Sequence, residues 1–243
     1  MTSPSPPVAL VTGANRSIGL QIARELAGLG YSVFLGARDL AAGKAAAHLL
    51  AGEGLTVHPV HIDLNDPGTH SSAATTIAAQ KGRLDVLVNN AAVVDDRDGP
   101  ASTAAADALR RMFETNVIGT LAVTQAMLPL LRKSSAGRVV NLSSALGSIA
   151  EAADDTSEFA AVRLAGYAIS KAALNMLTVQ LAVELKDAGI RVNSVDPGFT
   201  ATDMNGHQGY QSLQEGAAEA VRVATLSHGP TSGFSATGRT LPW

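Results

Sequence analysis

Residues 8–19 of the chain read VALVTGANRSIG, and this stretch predicts how the rest of the chain folds. Its first five residues are an apolar run that Gly13 closes, which is typical of a buried β-strand. From Ile18 to Leu29 the apolar residues recur at a helical spacing, and Gly30 stands where a helix would end. A glycine-rich turn between strand and helix lets the backbone approach a phosphate, which the helix N-terminus then attracts. The stretch predicts nucleotide binding, and an ordinary strand-to-helix turn is the alternative.

The pattern of a buried strand followed by a helix repeats along the whole chain. Further strands are predicted at 31–35, 55–62, 84–88, 138–142, 190–195 and 233–237. Helices are predicted at 39–50, 65–80, 104–131 (in two pieces around Gly119), 164–185 and 212–226. This alternation predicts a doubly wound α/β Rossmann fold, with a seven-stranded, mainly parallel sheet and helices on both faces. No linker or change of composition divides the chain, so we expect residues 1–243 to form a single domain.

Composition excludes several classes of protein. The chain has 243 residues, 46% of them hydrophobic, which is too apolar for a disordered protein. It has no cysteine, which excludes disulfides, zinc–thiolate sites and iron–sulfur clusters, and we expect no metal site. The net charge of −3 argues against a nucleic-acid partner. No apolar run approaches the roughly 20 residues that cross a bilayer, so no membrane partner is expected.

The N-terminal residues and the choice of basic residues give two expectations about origin. Residues 1–7 have neither a basic nor an apolar segment, so they do not resemble a signal peptide and predict an extended lead-in. We therefore expect a cytoplasmic protein. Arginine outnumbers lysine thirteen to five, which we interpret as the base composition of a bacterial genome.

The end of the second predicted strand indicates which dinucleotide binds. Sites selective for NAD place an acidic side chain there to hold the ribose 2′-hydroxyl. Here the corresponding residue is the neutral Ala37, and Arg38 follows it. Arg38, together with Arg16 of the glycine turn, suits a 2′-phosphate, because guanidinium groups match phosphate geometry. The residues predict NADP(H), although both arginines could be solvated surface charges and Asp39 could pair with one of them or cap the next helix.

Tyr167 and Lys171 form a Y-x-x-x-K pair at the start of a predicted helix. Residues four apart share one face of a helix, so the phenol and the ammonium group can converge. A nearby cation lowers the pKa of a phenol from its ordinary value of about 10, which makes the pair suitable for proton transfer. Ser143 and Ser144 end the fifth predicted strand, and either hydroxyl could bind a substrate carbonyl.

Taken in order, these motifs resemble the short-chain dehydrogenase/reductase family over the whole chain. The turn at 12–19 is similar to the family's T-G-x-x-x-G-x-G, with Ser17 in place of the second glycine. Asn89-Asn90-Ala91-Ala92 is similar to the family's N-N-A-G motif, with Ala92 in place of the glycine. Asp63-Leu64, the Tyr167 and Lys171 pair, and Pro197-Gly198 match as well, and residues 229–243 resemble a carbonyl-reductase-like subset.

The resemblance implies both a reaction and a set of site residues. NADPH would reduce a ketone or aldehyde by hydride transfer, Tyr167 would donate the proton, Ser144 would bind the oxygen, and Lys171 would hold the ribose and lower the pKa of Tyr167. Asn116 would hold a water molecule in a proton relay. The implied catalytic residues are Asn116, Ser144, Tyr167 and Lys171. The implied cofactor-binding residues are Gly13, Asn15, Arg16, Ser17, Ile18, Gly19, Arg38, Asp63, Leu64, Asn90, Ala91, Tyr167, Lys171, Pro197, Gly198 and Thr200.

Other assignments remain open for some of these residues. Ser17 could cap the first helix or donate to a phosphate. Asp63, expected beside the adenine amino group, could instead open the following helix, as could Asn65. Ser143 is the second choice for the serine, and Thr202 is the second choice for the threonine expected beside the nicotinamide carboxamide.

Two segments, 150–165 and 200–226, lie outside the motifs shared with the family and need their own interpretation. Ser144 and Tyr167 are 23 positions apart, which is longer than the separation usual in the family, and the extra residues fall in 150–165. This insertion could cover the helices through which relatives dimerise and so keep the chain monomeric, reshape the substrate cleft, or be a solvated acidic loop. Residues 200–226 are expected to form a substrate-binding loop, acting as a lid, and a helix.

The expected partner is a small carbonyl or alcohol substrate, whose identity the sequence does not indicate, and the chain could be a monomer or a homo-oligomer. Three other functions are possible for the same motifs: a non-catalytic NADP-sensing or scaffold protein, an NAD-dependent alcohol dehydrogenase working in the oxidative direction, and an epimerase or dehydratase. Retention of both Tyr167 and Lys171 argues against the scaffold. The 45 residues after Gly198 are too few for the added substrate domain typical of the epimerases and dehydratases.

Overall fold

The structure, a computed structural model, describes residues 5–243 as one eight-stranded sheet flanked by helices. The first four residues of the expected N-terminal lead-in lie outside this range. The strands are β1 (Val8–Val11), β2 (Ser32–Ala37), β3 (Val57–His61), β4 (Val86–Asn89), β5 (Arg138–Leu142), β6 (Arg191–Val195), β7 (Phe234–Ala236) and β8 (Arg239–Thr240). Their spatial order is β3-β2-β1-β4-β5-β6-β7-β8.

The strand order reverses between β1 and β4, and this reversal positions the site. Strands β1 to β7 are parallel to their neighbours, so their carboxyl ends lie at one edge of the sheet. The chain leaves β1 toward β2 on one side, whereas β4 lies on the other side of β1. A crevice between diverging connections forms at such a reversal, and ligands of doubly wound sheets bind there. The predicted doubly wound fold is therefore confirmed.

The prediction of seven strands was wrong by one. Strand β8 has only two residues and pairs antiparallel with β7, through a tight turn at Gly238 with a φ of 78°. That left-handed backbone is accessible to glycine without a steric cost. A strand of two residues is too short to show any alternation of apolar and polar side chains, so the sequence pattern did not reveal it.

The helices lie in two layers, one on each face of the sheet. They are α1 (Ser17–Gly28), α2 (Leu40–Gly52), α3 (Pro67–Lys81), α4 (Ala106–Phe113), α5 (Thr120–Leu131), α6 (Ile149–Ala153), α7 (Ala165–Glu184) and α8 (Leu213–Thr225). Side chains of α1, α2 and α8 pack with Ala9 and Val11 of β1. Side chains of α3, α5 and α7 pack with Val8 and Leu10 of the same strand. Alternate residues of β1 thus face opposite hydrophobic cores, as the two-residue period of a strand requires.

Two helix boundaries differ from those predicted. Helix α3 begins at Pro67 and is capped by Asp66, whose carboxylate accepts the Gly68 N–H at 2.9 Å, so neither Asp63 nor Asn65 opens it. The predicted helix at 104–131 begins at Ala106, and a π-helical turn, Glu114–Gly119, joins α4 to α5 without a break.

The insertion at 150–165 packs against the C-terminal hairpin. The Ala150 N–H donates to the Trp243 carbonyl at 3.1 Å, and Phe159 lies against a small core that contains Phe234 and Leu241. The apolar side chains of Ile169 and Met176 on α7 remain about half exposed, at 49% and 59%. The monomer hypothesis requires the insertion to cover the outer face of α7. In this structure the insertion leaves these two side chains exposed.

The segment 200–226, predicted as a lid loop followed by a helix, divides into two parts. Its first part is a loop with one short 3₁₀ turn, Asp203–Asn205. Its second part, α8, belongs to the hydrophobic core through Ala217, Ala220 and Ala224. No helix among residues 5–243 is both long enough and apolar enough to cross a membrane.

Candidate active site

The glycine turn after β1 is held tightly against the end of β4. Gly13 has a φ of 61°, and a Cβ on Gly19 would lie only 2.4 Å from the side-chain nitrogen of Asn90. The Asn90 amide donates to the Thr12 carbonyl at 2.8 Å and to the Gly13 carbonyl at 3.2 Å. The Thr12 hydroxyl in turn accepts the N–H groups of Asn90 and Ala91 at 3.0 and 3.1 Å. These contacts hold the turn in one conformation and bring four of the expected residues together: Gly13, Gly19, Asn90 and Ala91.

Ser17 occupies a conformation that favours glycine. Its φ is 49°, in the left-handed region, where a side chain costs about 1–2 kcal/mol. This explains in physical terms why the resembled family has a glycine at this position. The Ser17 hydroxyl donates to Asp203 Oδ2 at 3.2 Å and makes no helix cap. The half-buried Asn15 lies in the same turn, and Ile18 packs on the core beneath α1.

The two arginines expected to bind the 2′-phosphate have different surroundings. Arg16 forms an exposed ion pair with Asp203 at 3.1 Å, and His207 approaches the other oxygen of the same carboxylate at 3.0 Å. Arg38 is exposed and has no hydrogen-bond or ion-pair partner among residues 5–243. Asp39 caps α2 by accepting the Ala41 N–H at 2.8 Å. The carboxylate nearest to Arg38 in the sequence is thus engaged elsewhere, so Arg38 can meet an anionic ligand.

Asp63 and Leu64 follow β3, at the same edge of the sheet as the glycine turn, with β2 between β3 and β1. The Asp63 carboxylate accepts the Asn65 N–H at 3.0 Å, and its carbonyl accepts from the buried His70 ring at 2.7 Å. Leu64 is buried, and its carbonyl lies 2.6 Å from where a Cβ of Gly119 would stand. A glycine in the π-helical turn therefore allows the helix to approach this corner of the site.

A row of buried polar side chains crosses the sheet beneath the site. Asn89 donates to Thr124 at 3.0 Å and to Asn141 at 2.8 Å. Asn141 donates to Thr178 at 2.8 Å, and Thr178 meets Ser194 at 2.8 Å. Because buried polar groups need partners, this row fixes α5 and α7 against strands β4 to β6.

Asn116 lies in the π-helical turn, a feature that often marks functional sites. Its carbonyl oxygen accepts the Val93 N–H at 2.8 Å, and its amide donates to the Val93 carbonyl at 3.0 Å. The amide also donates to the Ser170 hydroxyl at 3.1 Å. Asn116 therefore connects the loop after β4 to α7.

The two serines at the end of β5 have different environments. Ser143 is buried, and its hydroxyl donates to the Lys171 carbonyl at 3.5 Å. Ser144 is partly exposed, and its hydroxyl accepts the Leu146 N–H at 3.2 Å, which leaves its proton available to another acceptor. Of the two, Ser144 is the one that can reach a ligand.

Tyr167 and Lys171 lie on one face of α7, with the Lys171 Nζ 5.4 Å from the centre of the phenol ring. The ammonium group donates to the Leu142 carbonyl at 2.7 Å, at the end of β5. Burial lowers the pKa of Lys171 to about 8. Burial also raises the pKa of Tyr167 above its ordinary value, so in this structure Lys171 does not lower it as expected.

Asp196, at the end of β6, is a buried carboxylate beside this pair. It accepts the Gly198 N–H at 3.1 Å, and its own N–H donates to the Ser235 carbonyl at 2.8 Å. Its negative charge further raises the pKa of Tyr167 and partly offsets the effect of burial on Lys171. The effect on both groups is to favour the protonated form.

The Pro197-Gly198 turn follows Asp196. Gly198 has a φ of 69°, and a Cβ there would lie 2.3 Å from the Gln211 side-chain oxygen. Thr200 is buried, and its hydroxyl donates to the Pro197 carbonyl at 3.0 Å. Thr202 belongs to the capping box of the short 3₁₀ turn. Both threonine hydroxyls donate their protons within this segment, Thr202 to Asn205 at 3.5 Å, so each could meet a carboxamide only as an acceptor.

Comparison with known proteins identifies the family. The sequence profile described as short chain dehydrogenase matches residues 7–212. The chain belongs to the short-chain dehydrogenase family. It is 36% identical to the short-chain dehydrogenase anuI of Penicillium roqueforti, over 93% of this chain and 91% of the relative. It is 32% identical to (+)-neomenthol dehydrogenase of Arabidopsis thaliana, over 95% of each.

Solved structures of other short-chain dehydrogenases have the same fold. The NADPH-bound carbonyl reductase from chicken fatty liver matches with a TM-score of 0.85 and 28% identity, over 99% of this chain and 100% of that chain. Salutaridine reductase from Papaver somniferum matches with a TM-score of 0.83 and 26% identity, over 95% and 99%.

Sequence reasoning missed four residues that shape the site of this short-chain dehydrogenase. They are Thr12, Asp196, Asp203 and Asp98, whose carboxylate accepts the N–H groups of Gly166 and Tyr167. Thr12 and Asp196 adjoin recognised motifs, so their position next to a glycine turn was an available signal. Asp98 and Asp203 act on residues far away in the sequence, for which no local signal exists. Among residues 5–243 no three His, Cys, Asp or Glu side chains cluster in a way that could hold a metal ion.

Proposed function

We propose that this short-chain dehydrogenase is an NADP(H)-dependent oxidoreductase that reduces a ketone or aldehyde to an alcohol. The observation that carries the proposal is the placement of Tyr167 and Lys171 on one face of α7, with the Lys171 Nζ 5.4 Å from the centre of the phenol ring. Lys171 also donates to the last residue of β5, and Ser144 lies shortly after that strand. Phenol, ammonium and hydroxyl groups thus meet at the carboxyl edge of the sheet, where dinucleotides bind in such folds.

The residues present fit a bound NADP(H) with its 2′-phosphate. Arg38 is exposed and lies directly after β2, and the neighbouring Asp39 is occupied with capping α2. The first turn of α1 follows the glycine turn, so its N–H groups would bind the pyrophosphate. Arg16 would bind phosphate after leaving Asp203. Asp63, Leu64, Asn90 and Ala91 border the same edge, where Asp63 would meet the adenine.

The cofactor would supply the hydride, and the chain would supply orientation and the proton. Ser144 would donate its free hydroxyl proton to the substrate oxygen as a hydrogen bond. Tyr167 would give its phenolic proton to the same oxygen, and its raised pKa keeps it protonated near neutral pH, as a proton donor must be. Lys171 would hold the ribose hydroxyls, and Asn116 would hold the loop after β4 in place. The same groups serve alcohol oxidation in reverse.

An apolar cavity of about 170 Å³ beside the candidate site supports a proposal about the class of substrate. It lies between the insertion, the residues that follow Ser144 and the start of α7. Ten of its eleven lining residues are apolar: Pro100, Ala101, Ala145, Leu146, Ala152, Phe159, Val162, Leu164, Ala165 and Ala168. We therefore propose a carbonyl substrate with an apolar body, and we assign the insertion to the substrate cleft.

The test measures NADPH consumption at 340 nm across aldehydes, aryl ketones, steroids and quinones. We expect wild-type protein to turn over at least one apolar carbonyl, and Tyr167→Phe to lose turnover while still binding NADPH in a fluorescence titration. Turnover by Tyr167→Phe at the wild-type rate would remove the phenol from the mechanism. Binding of NADPH without turnover of any carbonyl would instead favour the sensing or scaffold function.

Cofactor choice is tested separately with Arg38→Ala and the control Arg132→Ala, which removes an exposed arginine after α5. We expect Arg38→Ala to weaken NADPH binding by roughly ten- to a hundredfold, the value of a charge-assisted hydrogen bond of about 1.5–3 kcal/mol, and to leave NADH binding unchanged. Tighter binding of NADH than NADPH by the wild-type protein would favour the NAD-dependent alternative.

A further inference from the structure

Helix α7, which carries Tyr167, begins without a capping side chain of its own. Leu164 precedes its first residue, and an apolar side chain cannot accept the unpaired N–H groups of the first turn. Tyr167 is the third residue of this helix, in the region where helix ends fray. The N–H groups around Tyr167 therefore need hydrogen-bond acceptors from another part of the chain.

The loop that follows β4 provides these acceptors. The two carboxylate oxygens of Asp98 accept the Gly166 N–H at 2.8 Å and the Tyr167 N–H at 2.9 Å. The adjacent Gly99 carbonyl accepts the Ala165 N–H at 3.0 Å. The N–H groups of the first three residues of α7 are thus all bonded to one loop, and the bond from Asp98 to Gly166 joins residues 68 positions apart.

The loop that provides this cap is anchored near its start and is ordered at its end by a local hydrogen bond. Near its start, both backbone polar groups of Val93 bond to the Asn116 amide. At its end, the Asp98 carboxylate also accepts the Gly99 N–H at 2.8 Å. A Cβ on Gly166 would lie 2.3 Å from Met112 Cε, 2.9 Å from Leu109 Cδ1 and 3.1 Å from Asp98 Oδ1, so glycine at this position lets the start of α7 approach both α4 and the carboxylate. The bonds of Val93 to Asn116 and the close packing of Gly166 therefore both help to hold this contact.

We propose that Asp98 is a positioning residue for Tyr167, whose backbone it holds so that the phenol stays in place for proton transfer. The inference rests on the proposed function, because it assumes that Tyr167 exchanges the proton. The positive end of the helix dipole strengthens the bonds to a carboxylate relative to a neutral cap. A catalytic group displaced by about 1 Å loses about a hundredfold in rate, so a frayed first turn would slow the reaction without removing any reacting group.

The kinetic test compares Asp98→Ala, Asp98→Asn and the control Asp96→Ala, which removes an exposed acid of the same loop. We expect kcat of Asp98→Ala to fall about a hundredfold while the Kd for NADPH changes less than about twofold. Asp98→Asn retains one accepting oxygen, so its kcat should lie between those of Asp98→Ala and the wild type. Asp96→Ala should match the wild type.

Amide hydrogen exchange, measured by mass spectrometry, provides a second readout that does not depend on turnover. The amides of Gly166 and Tyr167 should exchange at least about tenfold faster in both Asp98 variants, because their acceptors are removed or weakened. Should Asp98→Ala fail to fold, Asp98→Asn decides by the same two measurements.

Unchanged kcat in the folded Asp98 variants, or an equal loss of kcat and of NADPH affinity, would overturn the inference. Tyr167→Phe, measured in parallel, separates the two proposals. Full activity of Tyr167→Phe refutes the proposed function, whereas an inactive Tyr167→Phe beside fully active Asp98 variants refutes only the role of Asp98.

Discussion

Gly147 allows the turn that follows Ser144 to touch the helix that carries Lys171. A Cβ at this position would lie 2.6 Å from the Lys171 backbone carbon, 2.7 Å from its Cβ and 2.8 Å from the Ala172 nitrogen. Carbon atoms in favourable contact lie about 3.5–4.0 Å apart, so the turn and α7 must separate by about 1 Å to admit a methyl group. Two of the atoms in contact are backbone, so rotation of a side chain cannot relieve the overlap.

Gly147→Ala should therefore affect both activity and stability. A shift of about 1 Å between Ser144 and the Tyr167 and Lys171 pair predicts a loss in kcat of about a hundredfold. Overpacking of this kind costs about 1–3 kcal/mol, and each kcal/mol lowers the Tm of a domain of this size by about 2–4 °C.

The assay combines steady-state kinetics with the best carbonyl of the panel, NADPH titration and thermal melting. The control is Gly28→Ala at the end of α1, where a Cβ would meet nothing within 4 Å. We expect the control to retain its kcat and to be as stable as the wild type, or more stable by up to about 1 kcal/mol. A Gly147→Ala variant with wild-type kcat and Tm would refute the close contact between this turn and α7.

Three further predictions concern the glycine turn, Lys171 and the lid. In urea unfolding, Ser17→Gly should be more stable than Ser17→Ala by about 0.5–1 kcal/mol. Both variants lose the hydroxyl, but only glycine adopts the left-handed φ without a steric cost. Equal stabilities would contradict the strain assigned to Ser17. The pKa of Lys171 is lowered to about 8, so above pH 8 the folded state binds fewer protons than the unfolded state. The free energy of unfolding should then rise by about 3 kcal/mol between about pH 8 and 10.5, and Lys171→Met, measured at both ends, should lose this rise. Asp203→Asn should free Arg16 and tighten NADPH binding up to about fivefold at low salt; weaker binding would show that Asp203 assists the cofactor.

The local signals in the sequence predicted the elements that follow a strict period. Strand β1, helix α1 and the turn between them lie where residues 8–29 place them, because apolar spacing and glycine act over a few neighbouring residues. The same logic failed for β8, which is too short to have a period. It also misplaced the start of α3, where Asp66 rather than Asp63 or Asn65 accepts the capping N–H.

The candidate site shows the same division between local and distant effects. Tyr167 and Lys171 share a face of α7 because they are four residues apart, which the sequence alone predicts. The direction of the pKa shift of Tyr167 could not be predicted this way, since burial and Asp196 outweigh the neighbouring ammonium group. The resemblance favoured Ser144 over Ser143, and the structure adds that the Ser143 hydroxyl donates to the Lys171 carbonyl.

The amino-acid sequence is sufficient to establish the Rossmann architecture, the position of the glycine turn and the family, because each depends on the order and spacing of residues along the chain. The tertiary structure alone reveals that Asp98 caps the helix of Tyr167 from 68 positions away and that Asp203 bonds to Arg16 from 187 positions away. Contacts at such separations depend on how strands and loops are placed at the edge of the sheet. Packing determines that placement, and no local pattern encodes it.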